Sequence, residues 1–234
     1  MIDALLSAAT LNGVLWLTVT LLAYIGGLYI HRRAGGHSLT HPLIFTATVV
    51  GVMAYLSATP IVVYQHSASL LHWLLGPATV ALALPIYRQW QQLMHYGWRL
   101  AVSIMIGGLI TPIMAWTTLW ACDAPLAMQL TMLAKSITTP LAMETSVQIG
   151  GIPALAAVFV ILSGVVGAVL SSTIFALFNV TSREAQGIAL GTVAHAIGTA
   201  KAVHMGEDVA AMATIALCIN GIATAIILPL IILA

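Results

Sequence analysis

Long apolar blocks separated by short polar segments run along almost the whole chain. A membrane-spanning helix needs about 20 mostly apolar residues, and six blocks approach or reach that length without a charged residue inside them. Each is therefore predicted to be a membrane span. These six blocks are residues 11–30, 43–58, 70–87, 100–121, 153–179 and 209–234.

Two further apolar blocks carry polar and helix-breaking residues in their interior. Residues 125–148 contain Lys135, Pro140 and Glu144, and residues 187–205 contain His195 and Lys201. Counting these two, we predict an all-α polytopic membrane protein with about seven to eight membrane segments, some of them discontinuous helices. All 234 residues are expected to form a single integral membrane domain.

Composition and charge agree with this prediction and exclude several classes of protein. The chain is 61% apolar and only 6% charged, against about 25% charged in an ordinary soluble domain. A formal net charge of +1 provides no basic surface for nucleic acid. Cys122 and Cys218 lie too far apart in sequence to suggest a zinc or iron–sulfur motif. The first block lacks a basic n-region, so it is expected to remain in the mature protein.

An internal repeat relates the two halves of the chain, residues 11–121 and 125–234. The segment TVALA at 79–83 recurs as TVAHA at 192–196, and the same offset of 113 residues aligns GLIT at 108–111 with GIAT at 221–224. Transporters are commonly built from such weak repeats, although apolar sequences also repeat by chance. If residues 125–148 enter and leave on one side, the repeats are inverted, Arg183 is cytoplasmic and so is the C-terminus; if all eight segments cross, the halves are parallel. The basic residues favour the inverted arrangement.

Three segments are predicted to interrupt their helices at comparable places. A break at membrane depth frees backbone groups that lipid cannot bind, so it must be buried in protein or line an aqueous cavity. Freed N–H groups at a half-helix start attract an anion, and nearby hydroxyls and cations add donors. The predicted break residues are Gly76, Pro77, Pro85, Pro140, Gly191 and Gly198. The predicted substrate-binding residues are Thr79, Lys135, Ser136, Thr138, Thr139, His195, Thr199 and Lys201.

The two lysines and the histidine each have a second interpretation. A cation at the centre of a span is costly, by roughly 2.5 to 3.5 kcal/mol, so Lys135 and Lys201 are candidates to pair with a substrate carboxylate. Alternatively, Lys135 pairs with Glu144, and Lys201 extends to the membrane interface. His195 either binds or transfers a proton, or it makes a satisfied hydrogen bond between helices.

Enzymatic chemistry is weakly supported by the sequence. Paired carboxylates, a nucleophile elbow, a phosphate-binding loop and a His-Glu-x-x-His metal motif are all missing from the sequence. We therefore expect no catalytic reaction, no cofactor and no metal site.

Four ordered motifs resemble the LrgB/CidB family of membrane proteins. They are LGPATVALALPIY at 75–87, KSITTPLAM at 135–143, GGIPA at 150–154 and GTVAHAIGTAK at 191–201. The resemblance covers the chain from about residue 70 to its end. It implies a multi-pass protein of the bacterial inner membrane. Glu144 departs from the small residues expected at that position, which leaves open an internal pair with Lys135.

The resemblance implies two functions of different kinds. Bacterial relatives are antiholin-like or holin-like modulators of murein hydrolase activity and autolysis, usually beside a smaller LrgA/CidA membrane partner. Plastid relatives transport glycolate and glycerate, and some bacterial systems are linked to pyruvate movement. We therefore expect either a carrier of small monocarboxylates or an oligomeric regulator that perturbs the bilayer. The expected partners are lipid, a small carboxylate, an LrgA/CidA-like protein and further copies of the chain, but not nucleic acid.

Overall fold

The structure is a computed structural model, which describes residues 5–7, 9–35, 40–74, 77, 80, 87 and 90–233. Within these ranges the chain consists of helices and their connections and contains no β-strand, which confirms the all-α prediction. The internal contacts divide the chain into two compact units, residues 1–80 and residues 81–234. Among the described residues, four helices are long and apolar enough to cross a bilayer, one in the first unit and three in the second.

In the described part of the first unit, the one helix long enough to cross a bilayer is α1 (Leu11–Arg33). The Thr10 hydroxyl caps this helix by accepting a hydrogen bond from the Gly13 amide at 3.0 Å. The helix continues through the basic residues that follow the predicted span, because cations are favourable at a helix C-terminus. Three shorter helices follow, and they are α2 (Pro42–Leu56), α3 (Ile61–Ser67) and α4 (Ser69–Trp73).

Aromatic and hydroxyl contacts hold α1 against α3. The Trp16 and Tyr64 rings meet edge to face with their centroids 5.3 Å apart, and the Tyr64 hydroxyl lies 3.3 Å from the Thr20 hydroxyl. The second predicted span corresponds to α2, which ends two residues earlier than expected. Most of the third predicted span, residues 70–87, lies outside the described residues beyond α4.

Within residues 90–233, the second unit contains three long helices and two interrupted segments between them. Helix α5 (Trp90–Ala121) has a non-helical residue, Gly97, near its start, and its apolar span is Tyr96–Ala121. The other two long helices are α8 (Pro153–Leu177) and α10 (Glu207–Leu233). The interrupted segments are α6 (Leu126–Leu133) with α7 (Thr139–Gln148), and α9 (Arg183–Met205).

Helices α5 and α10 pack side by side in the same direction. Near their starts, Leu100 and Ile104 share a buried apolar cluster with Met212 and Ile215. Further along both helices, Gly108 contacts the Asn220 side chain. The predicted offset of 113 residues pairs these two helices, but their parallel course differs from the inverted orientation expected for the halves 11–121 and 125–234.

The first interrupted segment turns back on itself and is called the first hairpin (residues 126–148). Its tip is the turn at residues 134–138, between α6 and α7. Just beyond α7, the Ile152 amide donates a 2.8 Å hydrogen bond to the Thr131 hydroxyl in α6. The chain therefore returns, before α8 begins, to the level of Thr131, five residues from the start of α6. We call the side of the tip on which α6 and the start of α8 lie the Asp123 end.

The second interrupted segment, α9, is also a hairpin (residues 183–205). Its 23 residues would span about 33 Å in a straight helix, yet Arg183 at one end donates a 2.7 Å hydrogen bond to the Met205 carbonyl at the other. The reversal occurs at His195, whose backbone angles of φ 39° and ψ −127° are non-helical. The halves 183–194 and 196–205 therefore lie antiparallel, with their tip at residues 192–198. Both open ends lie at what we call the Arg183 end.

The two hairpins enter the bundle from opposite ends. The first hairpin precedes the start of α8, and the second follows its end, so α8 connects the Asp123 end to the Arg183 end. Each hairpin together with the long helix that follows it forms one hairpin–helix element, residues 126–177 and residues 183–233. The two hairpin–helix elements run in opposite directions. Since α9 does not cross, the end of α10 lies opposite Arg183. A cytoplasmic Arg183 therefore excludes the cytoplasmic C-terminus that the sequence suggested.

Candidate functional site

The two hairpin tips meet the same central stretch of α8. The Ser163 hydroxyl donates a 3.0 Å hydrogen bond to the Lys135 carbonyl in the first tip. The His195 ring nitrogen Nε2 lies 2.8 Å from the Val160 carbonyl oxygen. Val160 and Ser163 lie near the middle of the 25 residues of α8, so both tips end near half the depth of the bundle.

Asn220 connects the two tips directly. Its amide nitrogen Nδ2 donates to the Ser136 carbonyl at 2.9 Å and to the Thr192 carbonyl at 3.3 Å. Thirteen residues of α10 precede Asn220 and thirteen follow it, and only 3% of the residue is exposed. A buried amide at the centre of an apolar helix is costly unless it is bonded, and here the broken backbones provide the acceptors.

Two buried hydroxyls beside these carbonyls have no hydrogen-bond partner. They belong to Thr138, which is 7% exposed, and Thr192, which is 2% exposed. Thr138 occupies the N-cap position of α7, yet its side chain caps no amide of the helix. Unpaired buried hydroxyls are uncommon, and each of these two keeps a donor free for a further partner at this position.

The backbone directs positive partial charge toward this region from two helices. The first tip is where α7 begins, and the second tip is where the half-helix 196–205 begins. The first amides of a helix have no internal acceptor, and the helix dipole adds roughly half a positive charge there. Two such N-termini at the same depth favour an anion between them.

Lys135 supplies the formal charge at the first tip. It is half-buried, and its ammonium lies 3.3 Å from the Ser136 hydroxyl. The structure contains no ion pair between Lys135 and Glu144 in the described part of the chain, and Glu144 is exposed. The alternative in which Glu144 neutralises Lys135 is therefore not what the described structure shows.

His195 makes a hydrogen bond between helices, which is the second of the two interpretations that the sequence left open for this residue. The side chain is 2% exposed and bonds the Val160 carbonyl of α8. Its positive φ is unusual for a residue with a Cβ atom, and such strain costs about 1 to 3 kcal/mol. This strain is located where the chain reverses, at the second tip.

The remaining predicted residues fall into three groups. Ser136 is buried in the first tip, and Thr139 follows it as the half-buried first residue of α7. The Thr199 hydroxyl donates to the His195 carbonyl at 2.9 Å, so it stabilises the second tip. Lys201 lies elsewhere, because its ammonium bonds Ala168 and two serines about two turns farther along α8 than the tips.

The predicted breaks are only partly where the structure has them. Pro140 lies in the first turn of α7, directly after the first tip. The second break lies at His195, inside the predicted segment from Gly191 to Gly198 and Thr199, although neither glycine is itself the non-helical residue. Gly191 is helical and lets the Ala213 backbone of α10 approach closely, and Gly198 leaves room for the Leu190 carbonyl across the hairpin. Pro77 is described and exposed, whereas Gly76, Thr79 and Pro85 lie outside the described residues.

Comparison with known proteins assigns the chain to a family. The family model described as "LrgB-like family" matches residues 20–233. The chain belongs to this LrgB-like family. Similar proteins include the "Antiholin-like protein LrgB" of Bacillus mycoides (strain KBAB4), 32% identical, and those of Bacillus cereus (strain B4264) and Bacillus anthracis (strain CDC 684 / NRRL 3495), each 33% identical. Each alignment covers 95% of this chain and 97% of the relative. No solved structure matches.

Family membership and the four long apolar helices identify a multi-pass membrane protein. In this LrgB-like protein, the sequence analysis missed Asn220 and Ser163. Asn220 was detectable as a single amide in an otherwise apolar span, which is a usual sign of a functional polar residue. Ser163 had no such signal, because serine is common at the contacts between membrane helices.

Proposed function

We propose that this LrgB-like protein is a carrier for small monocarboxylates of the pyruvate, glycolate and glycerate class, and not an enzyme. The observation that supports the proposal is the meeting of two hairpin tips at Asn220. There, two helix N-termini, two unpartnered hydroxyls and Lys135 lie near mid-depth. A carboxylate accepts hydrogen bonds from amides, hydroxyls and an ammonium, so it suits donors of each of these kinds.

The charge at the site favours a substrate with one carboxylate. Among the described residues, Lys135 is the one lysine or arginine side chain at the tips, because Lys201 is bound farther along α8. A second carboxylate would have no side-chain cation to accompany it into the membrane. Small hydroxyl or keto groups on the substrate would find partners in the Thr138 and Thr192 hydroxyls.

The arrangement of the hairpins supports alternating access to this site. Each hairpin extends from one end of the bundle to mid-depth, and the hairpin–helix elements 126–177 and 183–233 run in opposite directions. Inverted repeats around a central site are the usual basis of alternating access in carriers. We propose that these two hairpin–helix elements are the inverted repeat of a protein with seven to eight membrane segments. His195 is our candidate for coupling a proton to substrate movement.

The distribution of basic residues supports one orientation in the bacterial inner (plasma) membrane. In the described part of the second unit, Arg99, Arg183 and Lys201 lie toward the Arg183 end, and the Asp123 end has no lysine or arginine. Because basic residues favour the cytoplasmic side, we place the Arg183 end in the cytoplasm. An LrgA/CidA-like protein and further copies of this chain are proposed partners, and carboxylate flux is the proposed route to murein hydrolase activity and autolysis.

The test is uptake of a panel of short carboxylates by proteoliposomes that contain the purified full chain. We expect saturable uptake of at least one monocarboxylate, and weaker uptake of dicarboxylates of similar size. Lys135→Gln should reduce the uptake about tenfold or more, which corresponds to one charge-assisted hydrogen bond. Uptake that does not saturate, or that is unchanged in this variant, would contradict the proposed site.

The names of the relatives favour a second function. They are called antiholin-like, which suggests an oligomer that controls murein hydrolases without carrying a specific solute. In that case the buried polar groups at the tips would serve only to join helices. Leakage of a trapped dye from the same proteoliposomes, dependent on protein density and indifferent to carboxylates, would support this function over the carrier.

A further inference from the structure

Lys201 forms a second polar site, distinct from the one between the hairpin tips. Its ammonium donates to the Ala168 carbonyl at 2.6 Å and to the hydroxyls of Ser171 and Ser172 at 2.8 Å each. All three ammonium protons are thus bonded to neutral oxygens. In the part of the chain that the structure describes, no carboxylate forms an ion pair with Lys201, so its charge is not compensated.

Ser172, which contacts the Lys201 ammonium, also lines an open cavity of about 410 Å³. Since the Ser172 oxygen accepts a hydrogen bond from the Lys201 ammonium, the hydroxyl can donate its own hydrogen bond to a further acceptor, and no described residue accepts that bond. A hydroxyl that accepts from a cation is a stronger donor. The cavity is also lined by Asn179, Thr181 and Gln186, so several polar side chains face the same space.

The depth of the cavity matches the membrane interface. The 25 residues of α8 span about 37 Å, against about 30 Å for the hydrocarbon core of a bilayer. Ser172 lies five residues before the end of α8, and Asn179 and Thr181 lie beyond that end. The cavity therefore extends from just inside the hydrocarbon boundary into the headgroup layer.

The charged residues near this cavity are compatible with the binding of a negatively charged group beside Ser172. Arg183 lies beside the cavity, bonded to the Met205 carbonyl. Glu184 is close in sequence, but its carboxylate accepts a 2.6 Å hydrogen bond from Ser182, and this bond lowers the pKa of Glu184. The exposed Glu207 and Asp208 begin α10. The cavity itself is lined by no acidic residue in the described chain.

We propose that this cavity binds the phosphate group of an anionic phospholipid, with Ser172 as the direct donor and Lys201 as the charge behind it. Basic pockets between membrane helices on the cytoplasmic side are suited to such headgroups. A bound lipid would fix the open ends of the second hairpin to the end of α8. The proposal does not depend on carboxylate transport, because it concerns a different cation and a different depth.

The test measures the thermal midpoint, Tm, of the purified full chain in detergent during titration with lipid. Phosphatidylglycerol should raise Tm at lower concentration than phosphatidylcholine, and inorganic phosphate should have little effect. Lys201→Gln should increase the phosphatidylglycerol concentration needed for half of the effect about fivefold. Ser172→Ala leaves two of the three Lys201 bonds intact, so it tests the direct donor even if the lysine variant fails to fold.

Lys135→Gln is the matched control, since it removes a lysine from the other site. It should keep the full response to phosphatidylglycerol while it loses carboxylate uptake, so the two proposals can fail separately. Equal responses to the two lipids, or an unchanged response in Lys201→Gln and Ser172→Ala, would overturn the lipid site. A complete response to inorganic phosphate alone would assign the cavity to free phosphate and overturn the assignment to lipid.

Discussion

Arg183 and Met205 are the first and last residues of α9, and they are joined by a hydrogen bond of 2.7 Å. A helix of 23 residues cannot bring its ends together unless it reverses, and the reversal at His195 provides this. The hydrogen bond therefore shows that α9 enters the bundle and returns instead of crossing it. The topology of everything that follows in the chain depends on this relationship.

Cysteine labelling tests the reversal directly. Glu184 is the second residue of α9, Asp208 lies three residues after its last residue, and both positions are close to the Arg183 end. The test uses the variants Glu184→Cys and Asp208→Cys. We expect a membrane-impermeant maleimide to label both from the same side of the membrane. The exposed Cys122, at the Asp123 end, should be labelled from the opposite side, and the buried Cys218 should not react. Labelling of positions 184 and 208 from opposite sides would mean that α9 crosses.

Asn220 should be important for both stability and transport. Asn220→Ala leaves the Ser136 and Thr192 carbonyls without their bonds, at a cost of about 1 to 3 kcal/mol for each buried group. We expect a clear fall in Tm and a loss of most carboxylate uptake in proteoliposomes. Asn12→Ala, which changes an exposed asparagine of α1, is the control and should keep uptake. Uptake equal in both variants would remove Asn220 from the site.

Substitutions at two adjacent glycines of α5 distinguish the specific contact with Asn220 from the general packing of this helix. A methyl group at Gly108 would overlap the Asn220 amide oxygen, whereas one at Gly107 would lie 3.3 Å from a methyl group of Thr192. We therefore expect Gly108→Ala to reduce uptake strongly by displacing Asn220, and Gly107→Ala to have the smaller effect. The measurement is initial uptake rate, normalised to the amount of folded protein. The reverse order would mean that the contact with Asn220 is unimportant.

Lys135 and Glu144 form no ion pair in the described structure, so we expect the role of Lys135 to be independent of the charge of Glu144. Glu144 is exposed, and Lys135 bonds Ser136 instead. Glu144→Gln should therefore leave carboxylate uptake within about twofold of the original protein, because an exposed charge without an ion pair to Lys135 contributes little. Lys135→Gln should not recover when Glu144→Gln is added. If the double variant regains uptake, the two residues form a pair, and the proposed role of Lys135 is wrong.

Backbone strain at His195 predicts a difference between two small residues. Both His195→Ala and His195→Gly lose the bond to the Val160 carbonyl, but only glycine adopts a positive φ at little cost. The glycine variant should therefore be more stable than the alanine variant by about 1 to 2 kcal/mol. Comparison of their Tm values measures this difference. Equal values would indicate that the variants relieve the backbone strain in another way.

The sequence predicted most of the long helices and the location of the polar region, because both follow from local composition. Apolar length identified α1, α5, α8 and α10, and the polar residues within the other blocks identified the two interrupted segments. The reversal at His195 was not predicted, since the glycines on either side were stronger local signals for a break. The separation of Lys201 from Lys135 depends on how two hairpins meet α8, which local composition does not contain.

The two hairpins also constrain how the protein is assembled. The longest of their four helical pieces has 12 residues, which is too few to cross a bilayer, and their tips expose backbone groups that lipid cannot bind. Neither hairpin is therefore stable in lipid by itself. The long helices α5, α8 and α10 must first form a scaffold, and since α10 follows both hairpins in the chain, Asn220 can join the tips only after both hairpins have been synthesised.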